Sequence, residues 1–228
     1  MLIVALVLSP LNLIKAAVSE PTIELTNIYE IATAGTNLDV DVDQSNNAYV
    51  VFERSGNIYI VKNRGSEQLI GSGSNPTIAI DNTGFPHVAY ISAGSVIYET
   101  FDGDWDNEVN VGVGTSASYV DIDIDSHRNA HIFMRAHHYP DNYSWTDLLY
   151  VSNVNGPFEI IKGWNGDRDF SSSGSWGGYY YDTHPISIKI DQNDNYHLLF
   201  CMPVSGFGTL IETGVTACST TLIYLGHQ

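Results

Sequence analysis

The sequence predicts an all-β fold built from one unit used four times, and three observations carry that prediction. Four stretches align without gaps: Leu38–Phe52, Pro76–Tyr90, Val120–Met134 and Ile186–Phe200. In each, an alternating run ends in an aspartate, a polar turn follows, and a second apolar run closes the stretch. The aspartates are Asp43, Asp81, Asp125 and Asp191, and six residues after them stand Tyr49, His87, His131 and His197. Alternation at period two marks a strand with one buried face, and a polar turn between two such runs makes a hairpin.

The rest of each unit follows in order. An aliphatic-tyrosine pair marks a third strand: Ile58-Tyr59, Ile97-Tyr98, Leu149-Tyr150 and Ile223-Tyr224. Turns such as Asp102-Gly103-Asp104-Trp105 and Asn155-Gly156-Pro157-Phe158 come next, then short fourth strands at Glu67–Gly71, Glu108–Gly112 and Glu159–Gly163. Four antiparallel strands per unit, at aspartate spacings of 38, 44 and 66 residues, are the pattern of propeller blades. The expected architecture is a small β-propeller of four blades. The fourth unit stops after its third strand, and Thr22–Ile31 is a strand-like run without a hairpin of its own. Pairing that N-terminal strand with the last blade would close the ring and cover two strand edges. The competing reading is a part of a larger propeller.

Composition narrows the partners. Of 228 residues 43 % are hydrophobic, enough for a sizeable core. Only 15 % are charged, and 26 acidic against 9 basic residues leave a net charge of −17, which disfavours nucleic acid and anionic lipid as partners. Residues 2–14 are apolar but broken by Ser9, Pro10 and Asn12, too short a run to span a bilayer. With Lys15-Ala16-Ala17-Val18-Ser19 behind them they read as a signal peptide over residues 1–17. Residues 18–228 are then a single secreted domain, extracellular or periplasmic. In that compartment Cys201 and Cys218 form a structural disulfide rather than a catalytic thiol.

The repeated aspartate is expected to cap its hairpin turn through backbone amides, and the His or Tyr after it to be structural. Two blades carry more. Asp39 and Asp41 precede Asp43, and Asp121 and Asp123 precede Asp125, each trio on one face of a strand. Blades two and four hold Thr77, Ala79 and Ser187, Lys189 there. If the first strand is innermost, carboxylates converge on the axis and repel. A channel Ca²⁺ held by Asp39, Asp41, Asp121 and Asp123 would relieve that, as would water and Lys189.

Three long insertions leave from one end of the blades: Arg135–Asp147, 163–184 and Met202–Thr220, the last clamped by the cysteine pair. Loops on a rigid scaffold carry function, which places the expected ligand face here. Trp145, Trp164, Trp176, Tyr139, Tyr180 and Tyr181 supply flat apolar faces; Arg135, His137, His138, Arg168, Asp182 and His184 supply hydrogen-bonding groups. Aromatic platforms beside planar polar groups suit a carbohydrate or another small polar ligand. The alternative is that these rings glue the loops to the blades.

The repeat as written, Asp-x-x-Gly-x-Pro-His-Val-x-Tyr at Asp81–Tyr90, with Thr100-Phe101-Asp102-Gly103-Asp104-Trp105 after strand three, resembles the sialidase-like (BNR-type) β-propeller repeats of secreted bacterial and archaeal proteins. The resemblance runs from Leu38 to Tyr224 and implies fold more than activity, since that group includes sialidases, polysaccharide lyases and lectins. Sialidases use six blades and an arginine triad; this chain has five scattered arginines and a shorter turn box. Tyr181-Asp182-Thr183-His184-Pro185 is similar to the Asp-x-His segment of propeller lyases, which would make His184, Tyr181 and Arg135 or Arg168 catalytic. Three functions are therefore expected in order: a lectin-like recognition module, a glycan lyase or hydrolase using the same face, and a structural surface module.

Overall fold

A computed structural model describes residues 31–32, 34–111, 115–138, 145–165, 186–202 and 221–226. They form fifteen antiparallel strands in four sheets, and no helix. Sheet 1 runs β1 (Thr36–Val42), β2 (Ala48–Arg54), β3 (Asn57–Lys62) and β4 (Gln68–Ser72) in spatial order. Sheet 2 is β5 (Ser74–Ile80), β6 (Pro86–Ser92), β7 (Ser95–Thr100) and β8 (Val109–Asn110). Sheet 3 is β9 (Thr115–Ile124), β10 (Ala130–His138), β11 (Trp145–Ser152) and β12 (Glu159–Asn165). Sheet 4 is β13 (Ile186–Ile190), β14 (Tyr196–Met202) and β15 (Thr221–Gly226). Each repeat unit thus becomes one meandering sheet, as its alternation requires. Among the described residues no helix is long and apolar enough to cross a membrane.

The core is three layers of side chains, one between each successive pair of sheets. Val51, Ile58 and Ile60 of sheet 1 meet Ile78, Val88 and Ile97 of sheet 2. Ala79, Ala89 and Tyr98 on the other face of sheet 2 meet Ile122, Ile132 and Met134 of sheet 3. Phe133, Leu148 and Tyr150 then meet Ile186, Ile188 and Leu198 of sheet 4. The inner sheets are buried on both faces, so their strands read as nearly unbroken apolar runs: Pro86–Ile91 is buried at every residue. First strands lie side by side, β1 with β5, β5 with β9 and β9 with β13. Among the described residues no contact of that extent joins β13 back to β1. The expected closing strand, Thr22–Ile31, lies outside the described residues save for Ile31.

One element departs from its expected place. In sheets 2 and 3 the tyrosine of the aliphatic-tyrosine pair stands opposite the matching residue of the second strand, Tyr98 on Ala89 and Tyr150 on Phe133. In sheet 1 that position, opposite Val51, is held by Ile60, and Tyr59 pairs with Phe52. A one-residue slip turns a strand side chain to the other face. Tyr59 accordingly stacks on Phe52 at 5.7 Å, under the Arg54 guanidinium, on the face away from sheet 2.

Candidate functional site

The turn after the first strand is built alike in all four units. One carboxylate oxygen of the repeated aspartate accepts the N–H groups two and four residues on: Ser45 and Asn47, Thr83 and Phe85, His127 and Asn129, Asn193 and Asn195, all at 2.7–3.0 Å. The fourth residue of each turn, Asn46, Gly84, Arg128 or Asp194, takes a left-handed φ of 62°, 88°, 69° or 61°. The capping role expected of the aspartates is the one they perform.

The histidines behind these turns are structural as well. His87 lies between Asp81, at 3.4 Å from Nε2, and the Tyr98 hydroxyl, at 2.6 Å from Nδ1. His131 repeats this with Asp125 at 3.3 Å and Tyr150 at 2.6 Å. A neutral ring that donates from Nε2 to the carboxylate accepts the tyrosine proton at Nδ1. Burial lowers the His87 pKa against the pull of Asp81, and burial pushes Tyr98 up to about 12. Asp81 is itself buried, but bonds from Thr83, Phe85 and Arg128 outweigh desolvation and hold it well below the usual carboxylate range.

What the fourth turn residue does decides the space between sheets. Arg128 reaches back from sheet 3 to Asp81 of sheet 2, with Nε 2.6 Å from Oδ2 and its guanidinium by the Phe85 ring. Phe158 meets Tyr98 edge-on at 5.1 Å. Together they fill the gap between sheets 2 and 3 at this end. Asp194 likewise reaches Ser126, accepting from its N–H at 2.8 Å and its hydroxyl at 2.6 Å, and Tyr196 packs on Tyr150 at 4.7 Å. Between sheets 1 and 2 the corresponding residue is Gly84, and Ile60 takes the place of a tyrosine. A cavity of about 550 Å³ results.

That cavity is lined by Tyr49, Phe85, Phe101 and Trp105, with Lys62, Ser66 and Gln68 as its hydrogen-bonding groups. Trp105 is fixed by its ring N–H to Gln68 Oε1 at 3.3 Å and by Phe101 at 5.4 Å between ring centres. Lys62 stands 4.8 Å over the Tyr49 ring, and its interaction with Tyr49 raises its pKa. The lining comes from hairpin turns and the strand residues beside them, at the end of the sheets opposite the β10–β11 connection. The expected ligand residues named none of it, although the signal was in the repeat: of the four aligned turn positions, only Gly84 lacks a side chain.

The expected loop-face residues fare differently. Tyr139, Arg168, Trp176, Tyr180, Tyr181, Asp182 and His184 lie outside the described residues, as does Cys218. Backbone register places His138 opposite Trp145, and Trp164 opposite Leu148, so these and His137 share one end of sheet 3. Arg135 is not on a loop. β10 extends to His138, and Arg135 is buried within it, its guanidinium by the Tyr119 ring.

The four axial carboxylates are engaged with backbone. Asp39 and Asp41 each accept their own following N–H, Val40 and Val42, on one oxygen. Their other oxygens accept Ile78 and Ile80 N–H of β5 at 2.9 and 2.7 Å. Asp121 and Asp123 do the same for Ile122 and Ile124 and, on β13, for Ile188 and Ile190 at 2.8 and 2.7 Å. Eight carboxylate oxygens thus meet eight N–H groups that no ladder partner serves. These amides offset part of the repulsion between the carboxylates, and Lys189 adds a charge 3.6 Å from Asp123, while burial still raises the Asp121 pKa. Among the described residues no group of three or more His, Cys, Asp or Glu could hold a metal.

No known protein family and no curated protein matches the sequence. Solved structures similar to it include a fucose lectin from Kordia zhangzhouensis in complex with methyl-fucoside, at 17 % identity and a TM-score of 0.36 over 54 % of this chain and 96 % of the lectin. A mutant of the NanB sialidase from Streptococcus pneumoniae is similar at 10 % identity and a TM-score of 0.39, over 73 % of this chain and 26 % of the sialidase. A mutant of the GH43 protein BlXynB from Bacillus licheniformis is similar at 10 % and 0.30, over 73 % of this chain and 48 % of that one.

Proposed function

We propose that this protein is a propeller-type recognition module for carbohydrate, and that the sugar binds in the cavity between sheets 1 and 2. The observation that carries the reading is that cavity: about 550 Å³, walled by Trp105, Phe101, Phe85 and Tyr49 and edged by Lys62, Ser66 and Gln68. Aromatic rings take the apolar CH faces of a sugar, while a few placed polar groups fix its hydroxyls. The reading includes export of the chain after residue 17, closure of the units into a ring, and a Cys201–Cys218 bridge at the base of the last loop. The loop face carrying His137, His138, Trp145 and Trp164 would be a second contact surface for a longer glycan.

Titration of neutral and acidic oligosaccharides, followed by calorimetry, tests it with Trp105→Ala as the decisive variant. Loss of the ring is expected to weaken binding at least tenfold, about 1.4 kcal/mol, with the melting temperature little changed. No binding by the wild-type chain, or equal binding by Trp105→Ala, would refute the cavity as the site. Unsaturated-uronate absorbance that develops with acidic polysaccharides and disappears in His184→Ala would instead establish the lyase reading.

A further inference from the structure

Positive charge is scarce in this chain, 9 basic residues against 26 acidic ones, and carboxylates claim it. Arg54 pairs with Glu67, Arg128 with Asp81 at 2.6 Å and Lys189 with Asp123 at 3.6 Å. Lys62, at the edge of the cavity, is held differently. Among the described residues no carboxylate stands within salt-bridge distance of it. Its ammonium lies 4.8 Å from the centre of the Tyr49 ring, and Asp43 reaches it only through space. Asp43 is spent on its own turn: one oxygen accepts the Ser45 and Asn47 N–H groups at 2.9 and 2.8 Å, the other the Asn47 side-chain amide at 2.7 Å.

The other polar groups of the cavity leave donors over rather than acceptors. Gln68 Oε1 accepts the Trp105 ring N–H at 3.3 Å, and no described residue engages the NH2 of the same amide. The Tyr49 hydroxyl donates to the Gly84 carbonyl at 3.4 Å, and the Phe85 and Pro86 carbonyls accept the Asp81 and Phe101 N–H groups at 3.0 and 3.1 Å. Among the described residues no aspartate or glutamate lines the cavity; Asp104 and Asp106, on either side of Trp105, are exposed outside the lining. What stays uncommitted is an ammonium, an amide NH2 and the Ser66 hydroxyl. An ammonium and an amide NH2 only donate, whereas the hydroxyls of a neutral sugar must also be given acceptors.

We infer, resting on the carbohydrate reading above, that the cavity selects an anionic saccharide, one whose carboxylate or sulfate group meets Lys62 while a sugar ring lies on Trp105. Such an anion only accepts hydrogen bonds, which complements what Lys62 and Gln68 offer. Hydrogen bonds from an ammonium to an anion are about twice as strong as those between neutral groups. A chain of net charge −17 repels anions at a distance, so an anionic ligand needs a cation at the contact itself. Lys62 supplies it, set against the Tyr49 ring and not consumed by a carboxylate of its own.

The test is an array of carboxylated, sulfated and neutral glycans, followed by calorimetry of the tightest binder. Every glycan retained by the full chain is expected to carry a carboxylate or a sulfate. Methyl esterification of the carboxylate, or desulfation, is expected to weaken binding at least tenfold, and whichever treatment does so identifies the anion. Lys62→Met is expected to lose the same factor and to bind the charged and uncharged forms alike. Should that variant not fold, the treated and untreated glycans decide the matter on the wild-type chain. A neutral glycan bound as tightly, and lost in Trp105→Ala, would overturn the anionic preference and leave the cavity reading standing. An anionic preference kept by folded Lys62→Met would overturn the role of Lys62, and no glycan bound by the wild type would overturn both readings.

Discussion

The gap between sheets 1 and 2 and the gap between sheets 2 and 3 start from the same repeat and end as different things. Between sheets 2 and 3, Arg128, Tyr98 and Phe158 meet across the gap, and Arg128 ties the two turns together through Asp81. Between sheets 1 and 2, Gly84 and Ile60 stand where Arg128 and Tyr98 stand, and the space stays open with Trp105 on its wall. The strands, the capped turns and the left-handed fourth residue are common to both. Whether the gap between two sheets is filled or left open thus follows largely from two positions, Gly84 against Arg128 and Ile60 against Tyr98.

Three experiments would break or sharpen that comparison. The largest effect is expected from Arg128→Gly, which gives the second gap the glycine of the first. It removes a charge-assisted bond to a carboxylate with no exposed side-chain surface, so a loss of about 2 kcal/mol is expected, near the low end for such bonds because Arg128 is half exposed. A urea midpoint that falls at constant m-value would show this; an unmoved midpoint would mean Arg128 only fills space.

The converse, Gly84→Arg, should close the first gap. Arg128 and Asp194 already adopt the left-handed turn position, and a Cβ at Gly84 meets only Asp43 Oδ2, at 3.9 Å. Sugar binding should fall at least tenfold, about 1.4 kcal/mol, in the same calorimetric titration, while stability changes by less than about 1 kcal/mol. Retained binding would move the site elsewhere.

The third effect is smaller and depends on pH. His87 has its pKa lowered by burial, so the folded protein refuses a proton that the unfolded chain accepts. Stability therefore falls as pH drops through the unfolded value of about 6.5 toward the lower folded value, and is regained on the alkaline side. The Asp81 carboxylate, held low, adds a second loss below its ordinary value of 3.8. Melting temperatures measured between pH 7.5 and 5.5 should decline, and His87→Gln should flatten that decline. An unaltered slope in His87→Gln would assign the acid sensitivity to other groups.

Much of the scaffold was legible because its rules are local. Period-two alternation marked the strands, and an aspartate four residues before the end of a polar turn announced its own cap. Tyr59 was misleading because the aliphatic-tyrosine pair sits one residue nearer its aspartate than in sheet 2, Tyr59 16 residues after Asp43 against 17 from Asp81 to Tyr98, so with an equivalent hairpin register it takes the other face. The axial aspartates were found, but their partners were not, since a backbone N–H has no letter in a sequence. The sequence therefore shows the carboxylates but not the Ile78, Ile80, Ile188 and Ile190 amides that face them. The cavity was encoded by a residue type that was absent, Gly84 among larger neighbours in the same column, and absences become visible only when the column is read as volume.

The engagement of every axial carboxylate with the strand after it limits how such a chain can grow or shrink by gene rearrangement. Copying one unit would set two acid-bearing strands shoulder to shoulder, or two amide-bearing strands with nothing to receive their protons. Copying two together preserves every bond. The heritable building block of this architecture is accordingly the doublet, and recombination that respects doublets is the kind its interior tolerates.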